Sequence, residues 1–367
     1  MQRLERLRLG WVDSARGIAV LFVFGLHLVL DLQRRAAHDG FALPGWFSVA
    51  EVMVFGPLDL GKIGVAIFFL VSGFLIPITL DKPGLHVIRD FSLNRFFRLY
   101  PAYWVSILVY LAAMPLVLST TQVLVNFTML QRFLGTPDLN GVFWTLQIEL
   151  VFYMLCVLLK RIGRLGDVTL MKRFVIGLGI AAVLLAGVRY GTGLKLPVAL
   201  LLALQLMFFG YLYRMWFVAE TLARSDIVRM GVPVLLTLAL ACPLAYSRDY
   251  GLGENWARYV ASYVFSLAAF VFISLAAWQP RWLSFIGRIS YSFYLLHTIA
   301  ISVCIELIVA APIGIDALRF AVLVAASLLL SLTLSWASFR WIEQPGIAMG
   351  RRMLLRRRAL AVPELRN

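Results

Sequence analysis

Arg16 and His27 stand eleven positions apart inside one apolar run. At about 100° per residue, an α-helix brings them to within about 20° of the same face. An imidazole in such a place can act as an acid, a base or an acyl carrier, and a guanidinium can neutralise developing negative charge. Glu149, in the segment Phe143-Trp144-Thr145-Leu146-Gln147-Ile148-Glu149-Leu150, is a carboxylate in equally apolar surroundings. If the first run starts from the cytoplasmic surface near Ala15, His27 lies about 18 Å in; an opposing run from Val142 places Glu149 about 10 Å below the other surface. A carboxylate at that depth accepting a proton from one imidazole nitrogen would raise the basicity of the other, which suits abstraction of a hydroxyl proton. The structural alternatives are a His27 hydrogen bond to a neighbouring helix, snorkelling of Arg16 to headgroups, and an Asp13–Arg16 ion pair at i,i+3.

Further polar residues fall at suggestive spacings. Arg95 and Arg98, in Asn94-Arg95-Phe96-Phe97-Arg98-Leu99-Tyr100-Pro101, are three apart. One helical turn projects both guanidinium groups to a common patch, suited to phosphate, although positive-inside anchoring uses the same residues. Ser72 lies in the stretch GKIGVAIFFLVSGFLI, whose small residues permit close helix packing; a nucleophilic role is the less economical reading. Ser290, Tyr291, Tyr294 and His297 form a polar seam in a later apolar run, with structural hydrogen bonding and catalysis both open for His297.

The elements that would position these groups are transmembrane helices. The 367 residues are 61% hydrophobic and 14% charged, with a mean hydropathy of +0.86. Ten apolar runs, each roughly long enough to cross a hydrocarbon core of about 30 Å, fall near 15–32, 63–80, 102–118, 142–159, 174–188, 197–217, 230–246, 259–277, 289–310 and 318–341. The expected fold is therefore an all-α polytopic membrane protein: a cytoplasmic N-terminus over 1–14, one ten-helix membrane domain over 15–346 and a basic tail over 347–367.

Loop charge sets the orientation. The N-terminus, alternate loops and tail hold 25 of the 34 Lys and Arg residues, so both termini are expected in the cytoplasm. The formal net charge of +15 then reflects topology and anionic lipid rather than nucleic acid, and the arginines of 351–358 suit an interfacial helix. Cys156, Cys242 and Cys304 all fall in apolar runs and give no sign of a disulfide framework or a zinc spacing; no metal is expected. The first run carries Arg and His and so reads as a span, not a cleavable signal. The largest outward loop, 33–62, mixes Trp46, Phe47 and Phe55 with Asp39, Glu51 and Asp59, and reads as an amphipathic flap that either covers a substrate entrance or simply re-enters the membrane.

Taken in order, Asp13-Ser14-Ala15-Arg16-Gly17-Ile18-Ala19 with His27, GKIGVAIFFLVSGFLI, Arg95 to Pro101, FWTLQIELVFYML and GRISYSFYLLH resemble the acyltransferase-3 family of integral membrane O-acyltransferases, over roughly residues 10–346. The resemblance implies acyl transfer from cytoplasmic acyl-CoA, usually acetyl-CoA, to a hydroxyl of a carbohydrate or related acceptor. It also implies an essential Arg16–His27 pair and a contribution from Arg95 and Arg98. Many members close the domain with Glu, a basic residue and Pro; here the residues are Glu343, Gln344 and Pro345, which keeps the acid and loses the base. No appended esterase-like domain is evident, so acylation is expected to finish within the membrane domain.

The expected scheme has acyl-CoA phosphates near Arg95 and Arg98, the thioester reaching His27 past Arg16, and His27, oriented by Glu149, acting as general base or transient acyl carrier. Arg16, Tyr294 and Ser72 are oxyanion donors in falling order of credibility, with Asp13, His297 and Glu343 in supporting positions. The expected partners are the bilayer of a bacterial inner or plasma membrane, acyl-CoA and a glycosylated acceptor. A transporter or flippase of a lipid-linked saccharide is the rival reading, and it calls for inverted repeats that the sequence does not display.

Overall fold

The computed structural model describes residues 2–39, 43–81, 84, 86–114, 118–249, 253–309 and 316–361. In chain order the helices are α1 (Gln2–Asp39), α2 (Gly45–Ala50, prolonged by one π turn, Glu51–Phe55), α3 (Leu60–Leu80), α4 (Val87–Ala113), α5 (Thr120–Asn126), α6 (Trp144–Arg161), α7 (Val168–Thr192), α8 (Val198–Phe217), α9 (Arg224–Tyr246), α10 (Trp256–Leu275), α11 (Arg281–Arg288), α12 (Ser290–Val309), α13 (Asp316–Ser338) and α14 (Gln344–Ala361). A second π turn, Phe339–Glu343, joins α13 to α14. Ten helical stretches are long and apolar enough to cross a membrane.

The outward faces agree with a bilayer as solvent. Ile180, Leu184, Leu240, Phe272 and Leu329 are all more than half exposed. Hydrocarbon accepts such a surface, whereas in water it would drive association.

The chain forms two compact units, one from Met1–Asp81 and Ile148–Arg288, the other from Lys82–Gln147 and Ile289–Asn367. In the first unit, small residues let backbones meet. A Cβ on Gly64 would lie 2.3 Å from the Ala19 carbonyl oxygen, one on Gly210 2.3 Å from that of Leu70, and one on Gly287 1.7 Å from that of Asp13. These contacts fix α3 on α1, α8 on α3 and α11 on α1. Trp11 fills the interior between them, with ring centroids 5.2 Å from Phe74, 5.4 Å from Phe270 and 6.0 Å from Phe217.

The second unit is held by tyrosines reaching backbone carbonyls. Tyr103 donates to Asn126 O at 2.7 Å and Tyr291 to Leu99 O at 2.8 Å. At Gly346 and Gly350 the α14 backbone lies against Phe97 of α4, where a Cβ on Gly346 would be 2.6 Å from the Phe97 carbonyl oxygen.

Two expected boundaries need correction. The third span begins fifteen residues earlier than position 102, because Val87–Phe97 continue the same helix as an amphipathic extension with Asp90 and Phe91 buried. The helix of the last span does not stop at 341: a π turn over Phe339–Glu343 carries it into α14, which runs on to Ala361.

Candidate functional site

Both groups of the opening pair lie on α1 and are half-buried. Arg16 lies within the stretch where α11 packs: Ser14 and Ser284 hydroxyls are 3.0 Å apart, and a Cβ on Gly17 would be 2.4 Å from Leu283 O. The Asp13 carbonyl faces Gly287, so Asp13 contributes its backbone to the seat of α11. His27 lies where α1 meets the start of α3. A Cβ on Gly61 would fall 2.2 Å from Leu26 Cδ2, and the charges that act on the His27 ring include Arg34 and Asp59.

Asp59 is a residue the motif reading passed over as part of a loop. It caps α3, its Oδ1 accepting from Lys62 N at 2.9 Å, while its own N–H donates to Ser262 Oγ at 2.8 Å. The carboxylate is buried, and the cap bond offsets part of that burial. The signal was present as Asp, Leu, Gly, Lys immediately before an apolar run, an N-terminal cap pattern. Beside it, Lys62 Nζ sits 3.9 Å from the centroid of the Tyr259 ring, and Arg189 grips Glu254 through two hydrogen bonds of 2.9 and 2.7 Å.

Glu149, on α6, accepts from Ser72 Oγ at 3.1 Å and from Tyr153 OH at 2.7 Å. Two donors to one half-buried carboxylate fix its rotamer. Ser72 is thereby given a hydrogen-bonding role that its small-residue context did not reveal. Tyr153, one turn beyond Glu149, was readable as an i,i+4 partner.

In the second unit, Arg95 and Arg98 are both half-buried on α4, three residues apart, with the Arg95 guanidinium 5.4 Å from the Phe91 ring centroid. Tyr294 OH donates to Val142 O at 3.0 Å and lies 2.7 Å from Thr145 Oγ1. His297 is fully buried, and its Nδ1 faces the carbonyl oxygens of Phe293 and Tyr294 at 3.1 and 2.9 Å. Since neither oxygen can donate, Nδ1 carries the proton. Glu343, buried on the π turn, accepts from Ser292 Oγ at 3.0 Å. Among the described residues no group of His, Cys, Asp and Glu could hold a metal ion, and Cys156, Cys242 and Cys304 are buried thiols.

The model of a family described as an acyltransferase domain matches residues 9–339. A protein of Acidianus two-tailed virus whose name marks it as a candidate acetyltransferase, ORF330, is 27% identical over 265 residues, covering 68% of this chain and 75% of its own length. Nodulation protein 10 of Rhizobium leguminosarum bv. viciae is 33% identical over 129 residues, covering 28% of this chain and 34% of its own length. No solved structure matches.

Proposed function

The chain belongs to the acyltransferase-3 family, whose model spans residues 9–339, and on that premise we propose that it moves an acyl group, acetyl by default, from cytoplasmic acyl-CoA to a hydroxyl of a carbohydrate or glycosylated acceptor in a bacterial inner or plasma membrane. The observation that carries this reading is the Arg16–His27 pair on one face of α1, inside the matched region.

His27 takes the proton of the acceptor hydroxyl, whose oxygen forms the new bond to the thioester carbon. Arg16, about 16 Å from His27 along α1, steadies the donor as its thioester passes inward to His27. The carbon–sulfur bond then breaks, and the CoA sulfur leaves with the proton returned by His27. Asp59 is the carboxylate whose charge acts on the His27 ring; Glu149, held by Ser72 and Tyr153, lies instead towards the Arg16 end of α1, because Ser72 is thirteen positions and about 20 Å along α3 from Asp59 and Phe74 of the same helix meets Trp11. A two-step variant passes the acyl group through His27 itself. Arg95 and Arg98 bind the phosphates of the donor. Tyr294, His297 and Glu343 brace the second unit through the hydrogen bonds already given.

The test is release of free CoA from acetyl-CoA by purified protein in nanodiscs, with a glycan panel as acceptors and mass spectrometry of the products. Acceptor-dependent CoA release with a matching acetyl mass on a glycan supports the reading. Movement of a lipid-linked saccharide without CoA release would replace it with transport.

A further inference from the structure

In the second unit the chain between α4 and α6 is sunk alongside the helices it connects. Tyr100, Tyr103 and Trp104 of α4, at i, i+3 and i+4, reach three successive carbonyls at the C-terminal end of α5, where helical partners run out. Tyr103 OH donates to Asn126 O at 2.7 Å, Trp104 Nε1 to Phe127 O at 2.9 Å and Tyr100 OH to Thr128 O at 3.1 Å. Tyr103 stands ten residues, about 15 Å, short of the Ala113 end of α4. On α12, tied to α4 by the Tyr291 bond to Leu99 O, Thr298 Oγ1 accepts from Asn140 Nδ2 at 2.7 Å. Thr298 stands eleven residues, about 16 Å, short of Val309.

The chain does not climb back before α6 begins. Asn126 Nδ2 donates to Pro137 O at 3.0 Å and its Oδ1 accepts from Leu139 N at 3.0 Å, while Arg132 N donates to Gln147 Oε1 at 3.0 Å. The rings of Tyr103 and Phe143 lie 4.8 Å apart. Residues 126–147 are thus tied together at a depth of about half a hydrocarbon core of about 30 Å. Non-helical backbone at such a depth persists only where protein covers it or where it lines water. Aromatic side chains cover 126–128. The return strand instead lines an open concavity of about 510 Å³, walled by Arg132, Gly135, Thr136, Pro137, Asp138 and Gly141. A Cβ on Gly135 or Gly141 would meet nothing within 4 Å.

Arg132 is the charge in this place, and it is held in a fixed direction. The Asp138 carboxylate, 4% exposed, is saturated: Oδ1 accepts from Gln131 Nε2 at 2.7 Å and from Gln147 Nε2 at 2.9 Å, and Oδ2 from Arg132 Nε at 2.5 Å. It grips the guanidinium through Nε alone. Among the described residues the two terminal nitrogens meet no acceptor, and the side chain is 57% exposed. A guanidinium so exposed at that depth is costly against hydrocarbon and is at home in water, whereas its exposed neighbours Leu130, Phe133 and Leu134 suit lipid. A braced guanidinium with free N–H groups in a wet recess is a receptor for an oxyanion.

We infer that this concavity is a water-filled vestibule within the membrane domain and that Arg132, braced by Asp138, binds an oxyanion there, the phosphate group of a dissolved ion or of a lipid. Both sources present the same chemistry to the guanidinium. The site stands on the second unit alone and needs no part of the transferase reading.

The test puts one cysteine in the concavity, Thr136→Cys, and one on the exposed apolar side of α4, Leu108→Cys, in the full chain, whose three native thiols are buried. Each protein, in dodecyl maltoside, which carries no phosphate, meets two methanethiosulfonates that do not enter hydrocarbon, one bearing a sulfonate and one a trimethylammonium. Thr136→Cys should react with both and Leu108→Cys with neither. Corrected for their rates with a free thiol, the sulfonate reagent should be favoured at Thr136→Cys by about tenfold or more. Adding Arg132→Gln should remove that preference, and adding Arg132→Lys, which keeps the charge, should retain most of it. Inorganic phosphate at constant ionic strength should slow the sulfonate reagent severalfold if the oxyanion is a dissolved one. If phosphate has no effect and the slowing appears on transfer to phosphatidylglycerol nanodiscs, the oxyanion is a lipid phosphodiester. An unreactive Thr136→Cys overturns the vestibule. Equal rates for the two reagents, a preference that survives Arg132→Gln, or no slowing from either source overturns the anion site.

Discussion

Ser72 Oγ donates to Glu149 Oε1 at 3.1 Å, joining α3 to α6 through a carboxylate that Tyr153 also holds at 2.7 Å. This places the serine as a support for charge. If it is only that, Ser72→Ala removes one of two donors and lowers turnover by roughly tenfold or less, while Glu149→Gln, which removes the charge and keeps the shape, lowers it further. A nucleophilic serine would instead be silenced entirely by Ser72→Ala. Steady-state CoA release from the two variants and from Tyr153→Phe separates the cases.

His27 is tested by truncation with a folding control. His27→Ala should lower acceptor-dependent CoA release by at least about 100-fold, the lower end of what a general base contributes. Its thermal stability should stay close to that of the wild type, because the ring is only half-buried. Arg16→Ala should lower kcat/KM for acetyl-CoA, and Arg16→Lys should recover part of the loss by restoring charge without the planar fork. An active, well-folded His27→Ala protein would sink the mechanism.

Much of this arrangement was legible in sequence because the bilayer imposes one rule on every span. Apolar runs of crossing length marked the ten spanning helices, and the helical offset between positions 16 and 27 marked a shared face of α1. What escaped was whatever the rule does not govern. The first turns of α4, from Val87, include Arg89-Asp90-Phe91-Ser92, too polar to register as a span yet able to bury Phe91. Eight-residue α11 is too short for an apolar window, although a buried Leu283 and Ile286 three apart show its packed face. Asp59 looked like loop polarity until its cap bond to Lys62 placed it at the head of α3. The Ser72 hydrogen bond to Glu149 was unreadable because it depends on which helices become neighbours, and apolar periodicity gives faces without partners.

The close approach of α11 to α1 yields a stability prediction. A Cβ on Gly287 would lie 1.7 Å from the Asp13 carbonyl oxygen, and backbone on both sides leaves no side chain to yield. Gly287→Ala should therefore cost at least about 1–3 kcal/mol and displace the helix that seats the Arg16 stretch. Gly177, inside α7, faces open space where a Cβ would project, so Gly177→Ala should be neutral or stabilise by up to about 1 kcal/mol through helix propensity. Thermal unfolding of the two variants in one detergent gives the comparison, and equal midpoints would contradict it.

Donor recognition can be isolated by removing the donor's phosphates. Arg95 and Arg98 project from adjacent turns of α4, and if they bind the nucleotide end of acyl-CoA their contribution belongs to binding rather than to the chemical step. Arg95→Ala and Arg98→Ala should each raise the KM for acetyl-CoA by roughly 10- to 100-fold, as expected when a charge-assisted hydrogen bond is lost, with a smaller change in kcat. Acetyl-pantetheine carries the same thioester without those phosphates. Wild type should use it poorly, and the two variants should use it as well as wild type does, because the missing interaction is already absent. Raising ionic strength should weaken the wild-type preference for acetyl-CoA as the exposed part of the pairing is screened. Should both variants lose acetyl-pantetheine activity in parallel with acetyl-CoA activity, the arginines serve the fold of α4 or its anchoring at the membrane surface, and the donor's phosphates are bound elsewhere.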